Sequence, residues 1–490
     1  MKSLKIFLTL LAVSASMIGC TKNFGEINTD PNAPTSVSAD QLLTPILRET
    51  VLGSFNYGNG AALARYLART NYNTIEAYEW GVGSWSRQYL MLSNIHEMIK
   101  IAERDHKTSA KAVAYILKAF TGSTLTDSWG DVPYFEAGSG NITPGYDLQK
   151  DIYTAEGGII GLLKEAEELL SDPAVDPMVS DIMYGGNLMK WRRLGNSLRL
   201  RYLMRISNRA SEITTFNLAG EIAEAVKLPL LATNSDNALL AFLPAAPNQC
   251  PVYGIREGEF DYIRMSKESD EWLNPINDPR RIVWFMPASK SVERGTPEYK
   301  GIPCGLSSTT LENMGILQNI GEVSQMGARY RATPDGCDAV LMNCSEVMFL
   351  VAEAIVKGYA EGNAGEWYDR GITASLEYYC KDLSSDGFNA YMAQPGVVFD
   401  EDNAMKLIMF QKWTAQFFVG SEAWLDFKRT GLPEMEPLME NRNPTKPGEI
   451  PSRFLYPEDE QTLNVDNFSA AVVRQEGGND DINTKLWWEK

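Results

Sequence analysis

Catalytic chemistry has little material in this chain. Its only histidines are His96 and His106, one on a helical stripe and one in a turn, so a histidine-based triad or zinc site is poorly provided for. No G-x-S-x-G elbow, glycine-rich phosphate loop or EF-hand pattern is present. Paired carboxylates are what is left. Asp127 and Asp131, with Trp129 between them, have the residue types of a glycosidase acid and nucleophile beside a ring for stacking sugar. Such carboxylates ordinarily come from separate elements, whereas these follow a helix end beside Gly130 and Pro133. A turn in which both side chains hold backbone amides accounts for the same residues and is the expected reading. A secreted glycoside hydrolase using Asp127 and Asp131 is the alternative.

Two further groups of side chains bear on function. Arg199, Arg201 and Arg205 lie on an otherwise apolar helical stretch, and Glu346 and Glu353 share a face of another. Charges on such helices need partners, so ion pairs between helices are expected, with anion binding as the other reading. Residues 71–85, Asn-Tyr-Asn-Thr-Ile-Glu-Ala-Tyr-Glu-Trp-Gly-Val-Gly-Ser-Trp, mix flat rings with amides and carboxylates and carry no clean helical stripe. Sugars present apolar C–H faces with a rim of hydroxyls, which rings beside Asn or Glu suit. Capping of the adjacent helices explains the same rings equally well.

The elements that must position these residues are mostly helices in pairs. Tyr89, Leu92, Ile95 and Ile99 recur at three- and four-residue steps, and Ala112, Val113, Ile116, Leu117 and Phe120 repeat the pattern after a short break. Helices so closely joined form an antiparallel hairpin. Residues 159–170 and 188–205 read as further helices. A stripe from Val347 to Ile355 stops at Gly358, a good C-cap, and a second runs from Trp367 to Tyr379. Residues 405–418 and 421–428 make a last pair. Repeated hairpins of this kind resemble a tetratricopeptide-like array. Residues 230–340 are rich in Pro, Gly and short apolar runs and read as a loop-rich insertion with a few short strands and a helix or two, where binding surfaces commonly lie.

Composition narrows the partners. With 45 basic against 63 acidic residues, a net charge of -18 lacks the basic footprint of a nucleic-acid binder. The first 19 residues carry Lys2 and Lys5 before a short apolar run and read as an export signal ending at Met-Ile-Gly-Cys20. That ending resembles the lipobox of bacterial lipoproteins, with Met17 where Leu is usual, so Cys20 is the expected lipidation site and residues 20–36 a lipid-anchored tether. No other stretch is long and apolar enough for a membrane helix. The remaining cysteines, Cys250, Cys304, Cys337, Cys344 and Cys380, form an odd set without C-x-x-C or zinc spacing and read as small buried hydrophobes, not a disulfide framework.

These residues together resemble the SusD/RagB-like outer-membrane lipoproteins that work with TonB-dependent transporters. Residues 23–32, Asn-Phe-Gly-Glu-Ile-Asn-Thr-Asp-Pro-Asn, are similar to the family's N-terminal segment, and residues 126–134 to its D-x-[aromatic]-G-D-V-P-Y turn. Residues 196–201 with Arg205, and 345–354 around Glu346 and Glu353, match two internal helices. Asp278-Pro279-Arg280 and Gly420-Ser421-Glu422-Ala423-Trp424, running on to Arg429-Thr430-Gly431, add two more. The order and combination of these stretches carry the resemblance.

The resemblance implies a mainly α fold, a tetratricopeptide-like scaffold of four helix pairs, as one SusD-like domain over residues 37–490 with the insertion at about 230–340. It also implies a cell-surface lipoprotein of the outer membrane that captures an oligosaccharide and delivers it to a SusC-like TonB-dependent transporter without catalysis; a peptide-binding member of the same family is the alternative. No cofactor is expected, and a structural calcium, whose oxygen ligands need no recognisable spacing, stays open. Because the starch-binding member uses aromatics of an N-terminal loop and of the middle region, Tyr78 and Trp80, with Asn73 beside them, inherit the ligand-binding role. Tyr253 is the candidate from the middle region.

Overall fold

Helix spacing in the sequence becomes a row of helices in space. In the computed structural model, which describes residues 37–489 with the backbone alone at Glu476, the main helices are α1 (Ala39–Ser54), α2 (Ser86–Arg104), α3 (Thr108–Trp129), α4 (Ile159–Ser171), α5 (Leu188–Arg205), α6 (Leu218–Ala225), α7 (Cys344–Val356), α8 (Ala364–Tyr379), α9 (Ala404–Ala415) and α10 (Glu422–Thr430). Cys20 and the whole of the expected tether, residues 20–36, lie outside the described residues. From Ala39 onward the chain closes into one unit. No helix among the described residues is long and apolar enough to cross a membrane.

Each helix packs on its sequence neighbour. Pairs α2–α3, α4–α5 and α7–α8 are joined in series by α3 against α4 and α5 against α7, and α9 lies on α7 and α8. Helix α4 buries Ile159, Ile160, Leu162, Leu163, Ala166 and Leu170, a stripe along one side. Helices inside the row are covered all round: on α5 every residue from Leu194 to Arg205 is buried, its arginines included. Asn343 caps α7 by accepting the Glu346 amide, and Gly358, at φ 75°, ends it in the left-handed turn that glycine makes at least cost. Helix α9 stops three residues earlier than its pattern predicts. Phe418 turns back at φ 65°, and the neighbouring Phe417 ring stacks on Trp284 at 4.3 Å.

Two short antiparallel ladders attach the insertion. Strand β1 (Leu67–Arg69), β2 (Ala238–Ala241), β3 (Ile263–Met265) and β4 (Asp338–Met342) pair as β1–β3 and β2–β4. Register Leu67↔Met265 and Arg69↔Ile263 stitches the segment before α2 to the middle of the insertion. The β2–β4 ladder closes the insertion at its base, and β4 leads through Asn343 straight into α7. Between the ladders lie more short helices than the sequence predicts, among them Pro251–Gly254, Lys267–Leu273 and Ser308–Asn313. Two of these start where Ser266 and Ser307 accept the amides of Ser269 and Thr310, a local device that leaves no periodic trace in so short an element.

Candidate functional site

The motif residues meet inside the scaffold. Asp127 stands in the last turn of α3, which runs on to Trp129 before Gly130 breaks it at φ 85°. Its Oδ1 accepts from Trp488 Nε1 and Tyr153 Oη, both at 2.8 Å, and its Oδ2 from the Arg205 guanidinium. Asp131, beyond the helix, accepts the Gln149 amide at 2.9 Å on one oxygen and Arg474 at 3.1 Å on the other. The expectation that both aspartates hold backbone amides is therefore corrected for Asp127: the helix is one turn longer, its amides are satisfied internally, and the carboxylate goes to a buried cation. All four oxygens are engaged by protein groups.

Arg201 forks onto Glu346 with both bonds at 2.6 Å, and Arg205 bridges Asp127 to Glu422. Arg429 bridges Glu353 to Asp426, which also meets Lys412 at 2.8 Å. The interhelical pairs expected of the arginines are present, and they join α3, α5, α7, α9 and α10 into one buried lattice. Burial pushes the Asp426 carboxyl up, but Lys412 and Arg429 outweigh it and hold the group well below the usual carboxylate range. Glu353 and Glu422 are lowered in the same way, by Arg429 and by Arg201 with Arg205. Asp127 runs the other way, burial outweighing Arg205. Such a lattice orients helices, and on one side its Asp127 and Glu422 border a cavity of about 210 Å³ shared with Trp80, Trp424 and Arg453.

The aromatic residues chosen from residues 71–85 are also packed away. Tyr78 is 2 % exposed and Trp80 4 %. Trp80 stacks on Phe454 at 4.7 Å and donates its Nε1 to the Ile75 carbonyl, while Tyr78 meets Trp424 and takes a bond from Arg65 at 3.1 Å. The expectation of an open platform at Tyr78 and Trp80 is corrected: both rings bind the loop to α10 and to the chain near Phe454. Asn73, buried too, donates to the Leu306 carbonyl at 2.6 Å and accepts from Arg442 at 2.9 Å, tying this loop to the insertion.

An open cleft lies one step away along the same loop. It has a volume of about 390 Å³ and is walled by Tyr57, Asn59, Arg69, Tyr72, Ile75 and Glu76, among others. Tyr72 is 67 % exposed and its backbone sits at φ 55°. Arg65 and Tyr78 also take positive φ, 53° and 61°, so three non-glycine residues in one short stretch are held in a conformation that costs on the order of 1–3 kcal/mol each. The Tyr72 ring lies edge-on to Tyr262 at 5.9 Å, and the Arg69 guanidinium stands 6.0 Å from the Tyr57 ring centre. Burial raises the Tyr57 phenol, Arg69 opposes it, and the charges of Glu259 and Cys250 add to the rise. Tyr253, the middle-region candidate, is half-buried on Pro251–Gly254, the short helix that starts at Cys250, with Arg256 stacked over its ring at 4.1 Å.

Glu76 forms the floor. Its Oε2 accepts the amides of Arg69 and Gly305, both at 3.1 Å, and its Oε1 has no partner. Gly305 reaches it only because φ 74° and a 3.0 Å approach to Ala77 exclude a side chain there. Burial lifts the Glu76 carboxyl to about 8, against an ordinary 4.5, the two amides and the charges of Arg69 and Arg442 recovering only part. Tyr57, Arg69, Tyr72, Glu76 and Tyr262 were not singled out in sequence. Tyr72 and Glu76 lie in the flagged segment, but ring exposure there is decided by the tertiary neighbours Phe454, Trp424 and Tyr262, which no local pattern encodes.

A row of helix pairs bearing a loop-built cleft of tyrosine, arginine and a buried acid defines a helix-scaffold binding protein. The chain belongs to the SusD-like family described as starch-binding and associating with the outer membrane, which matches residues 31–457. Among solved structures it is similar to a SusD homologue from Bacteroides fragilis NCTC 9343 (28 % identity, TM-score 0.81, 93 % of this chain and 100 % of that one). It is similar also to a chitin-binding protein (26 %, TM-score 0.78, 92 % and 99 %). A chitin-binding SusD homologue from Flavobacterium johnsoniae shares the fold at 23 % identity, TM-score 0.75, over 92 % and 98 % of the chains. No curated protein matches the sequence.

Proposed function

We propose that this chain is a surface lipoprotein of the outer membrane that captures an oligosaccharide in the Tyr57–Arg69–Tyr72 cleft and passes it to a TonB-dependent transporter without acting on it chemically. The observation that carries the reading is Tyr72: a large ring left exposed beside Tyr262, Tyr57 and Arg69, on backbone that only a constrained loop maintains. Ring faces suit the C–H face of a sugar, and the Arg69 guanidinium suits its hydroxyls. Membership in a starch-binding family and likeness to a chitin-binding protein favour a glycan over a peptide. The engagement of every oxygen of Asp127 and Asp131 favours binding without hydrolysis. Calorimetry against a panel of soluble starch and chitin oligosaccharides, with reducing-sugar release measured on the same mixtures, tests this. Saturable heat without sugar release is expected; release abolished by Asp127→Asn would replace the reading with the glycosidase. Cys20→Ala should free the chain from the membrane fraction.

A further inference from the structure

Outside the cleft and the lattice, one pair of reactive side chains has no part in either. Cys250 and Cys337 are 87 positions apart and their sulfurs approach to 3.0 Å, inside ordinary sulfur–sulfur contact. Both are buried, so no water competes for the position. The backbone on each side is fixed: the Cys250 amide donates to the Pro334 carbonyl at 2.6 Å, and Cys337 immediately precedes Asp338, which is in register with Ala241 in the β2–β4 ladder. The other cysteines differ. Cys304 donates to the Leu67 carbonyl at 3.5 Å and Cys344 to Asn234 at the same distance, while Cys380 is half-buried. The sequence reading of the cysteines as small buried groups fits all four buried thiols, this pair included; what sequence separation hides is the closeness of Cys250 to Cys337, a contact made by closing the insertion.

We propose that Cys250 and Cys337 form a disulfide in the exported protein, which bolts the short helix that begins after Cys250 to the strand pair rooted in the scaffold. The proposal rests on the export reading given above, since disulfides persist in oxidising compartments and not in the cytoplasm. The oxidant is a disulfide-bearing dithiol protein of the cell envelope. One cysteine thiolate attacks a sulfur of the oxidant's disulfide, that S–S bond breaks, and a mixed disulfide forms while one oxidant sulfur leaves and takes up a proton. The second cysteine, giving up its proton, attacks the mixed disulfide and displaces the other oxidant sulfur. Two thiols lose two electrons and two protons, and the oxidant's disulfide gains both as two thiols. Because the pair is closed off in the folded chain, the exchange belongs to the period before residues 242–262 settle against β4.

The consequence is mechanical. Tyr253 sits on the helix that Cys250 opens. A covalent link therefore fixes that helix relative to α7, which β4 enters directly.

The test is a thiol count on the full chain isolated from the envelope without reductant, alkylated in denaturant and weighed by mass spectrometry. Three alkylated sites among Cys250, Cys304, Cys337, Cys344 and Cys380, with a linked Cys250–Cys337 peptide, are expected; five alkylated sites in envelope-located protein overturn the proposal. Reductant should lower the melting temperature of the wild type by several degrees and leave that of Cys337→Ala unchanged; an equal drop in both would also overturn it. If the chain is not found in the envelope, the export reading fails separately. The reduced chain refolded from denaturant in a glutathione redox buffer then decides the pair: closure between Cys250 and Cys337 upholds it, and glutathione adducts or unreacted thiols end it.

Discussion

The charge lattice and the tyrosine cleft handle buried charge in opposite ways. In the lattice, Arg201, Arg205, Arg429 and Lys412 meet Glu346, Asp127, Glu422, Glu353 and Asp426 from five helices, and most of the carboxyls whose ionisation is displaced are pulled down by their cations. In the cleft, Glu76 is buried without an ion-pair partner, receives two amides, keeps one oxygen unpaired and is pushed up to about 8. Satisfied charge is scaffold and unsatisfied charge is site. The lattice also absorbs several of the family-like stretches, whereas the cleft is built from residues outside those stretches, some of them in the aromatic segment 71–85. Family resemblance therefore reports how the helices are clamped together, and says little about which ligand is held.

Breaking the lattice should produce the largest effect. Arg205→Ala leaves Asp127 and Glu422 facing each other without their shared cation, and removing one partner of a buried pair costs about 3–5 kcal/mol. Thermal melts should show a large loss, while glycan affinity of the folded fraction stays near wild type, because no lattice residue named above lines the cleft. A loss of affinity without a loss of stability would remove the distinction drawn here. Trp80→Ala comes next. Truncating a buried tryptophan costs roughly 3–5 kcal/mol, with the upper part of that range reserved for sites that cannot collapse; Trp80 borders a cavity of about 210 Å³ that allows some relaxation. Full stability with abolished binding would return Trp80 to the ligand face.

What the sequence disclosed follows from the range of each interaction. Helix pairs were readable because their apolar spacing repeats within four residues: Leu92, Ile95 and Ile116 are buried where the stripes put them. The ion pairs were readable in kind, since arginines on an apolar helix need partners, but not in partner. Arg201 finds Glu346, whereas Arg205 takes Asp127 and Glu422 from helices far away in sequence. The aromatic loop was legible as a segment and misread by residue. Tyr72, Tyr78 and Trp80 have the same chemistry, and only the tertiary neighbours Phe454, Trp424 and Tyr262 decide which ring faces water.

Glu76 gives the comparison a pH signature. Its folded value is raised, from 4.5 to about 8, so between those values the folded chain holds a proton that the unfolded chain has released. Stability attributable to Glu76 is therefore undiminished below about 4.5 and declines as pH rises towards 8. The lowered carboxyls of Glu353, Glu422 and Asp426 act in the opposite sense: they stabilise above their ordinary range and lose that contribution as pH falls through their folded values. Glu76→Gln should flatten the decline between pH 4.5 and 8 and raise stability at pH 7 by at most about 3 kcal/mol, at roughly 1.4 kcal/mol per unit. It should leave the acid-side fall untouched. Melting temperatures of both proteins across pH 4–9 check this, and parallel curves would show that Glu76 titrates normally.

The smallest energetic change falls on Tyr72 and sharpens the functional half of the comparison. Removing a ring that stacks on one sugar face costs on the order of 1 kcal/mol, from about 25 cal/mol per Å² of apolar area, or several-fold in affinity. Tyr72→Ala should lose that much by calorimetry while its melt shifts little, since the ring is mostly in solvent. Strain offers a second handle on the same position. At φ 55° an alanine keeps the backbone cost and a glycine removes it, so Tyr72→Gly should be the more stable of the two, by up to about 1 kcal/mol. If the ring is what holds ligand, both variants lose affinity equally despite that difference. If Tyr72→Gly binds distinctly worse than Tyr72→Ala, the held backbone shape contributes to recognition as well, and the strained loop is part of the site in its own right.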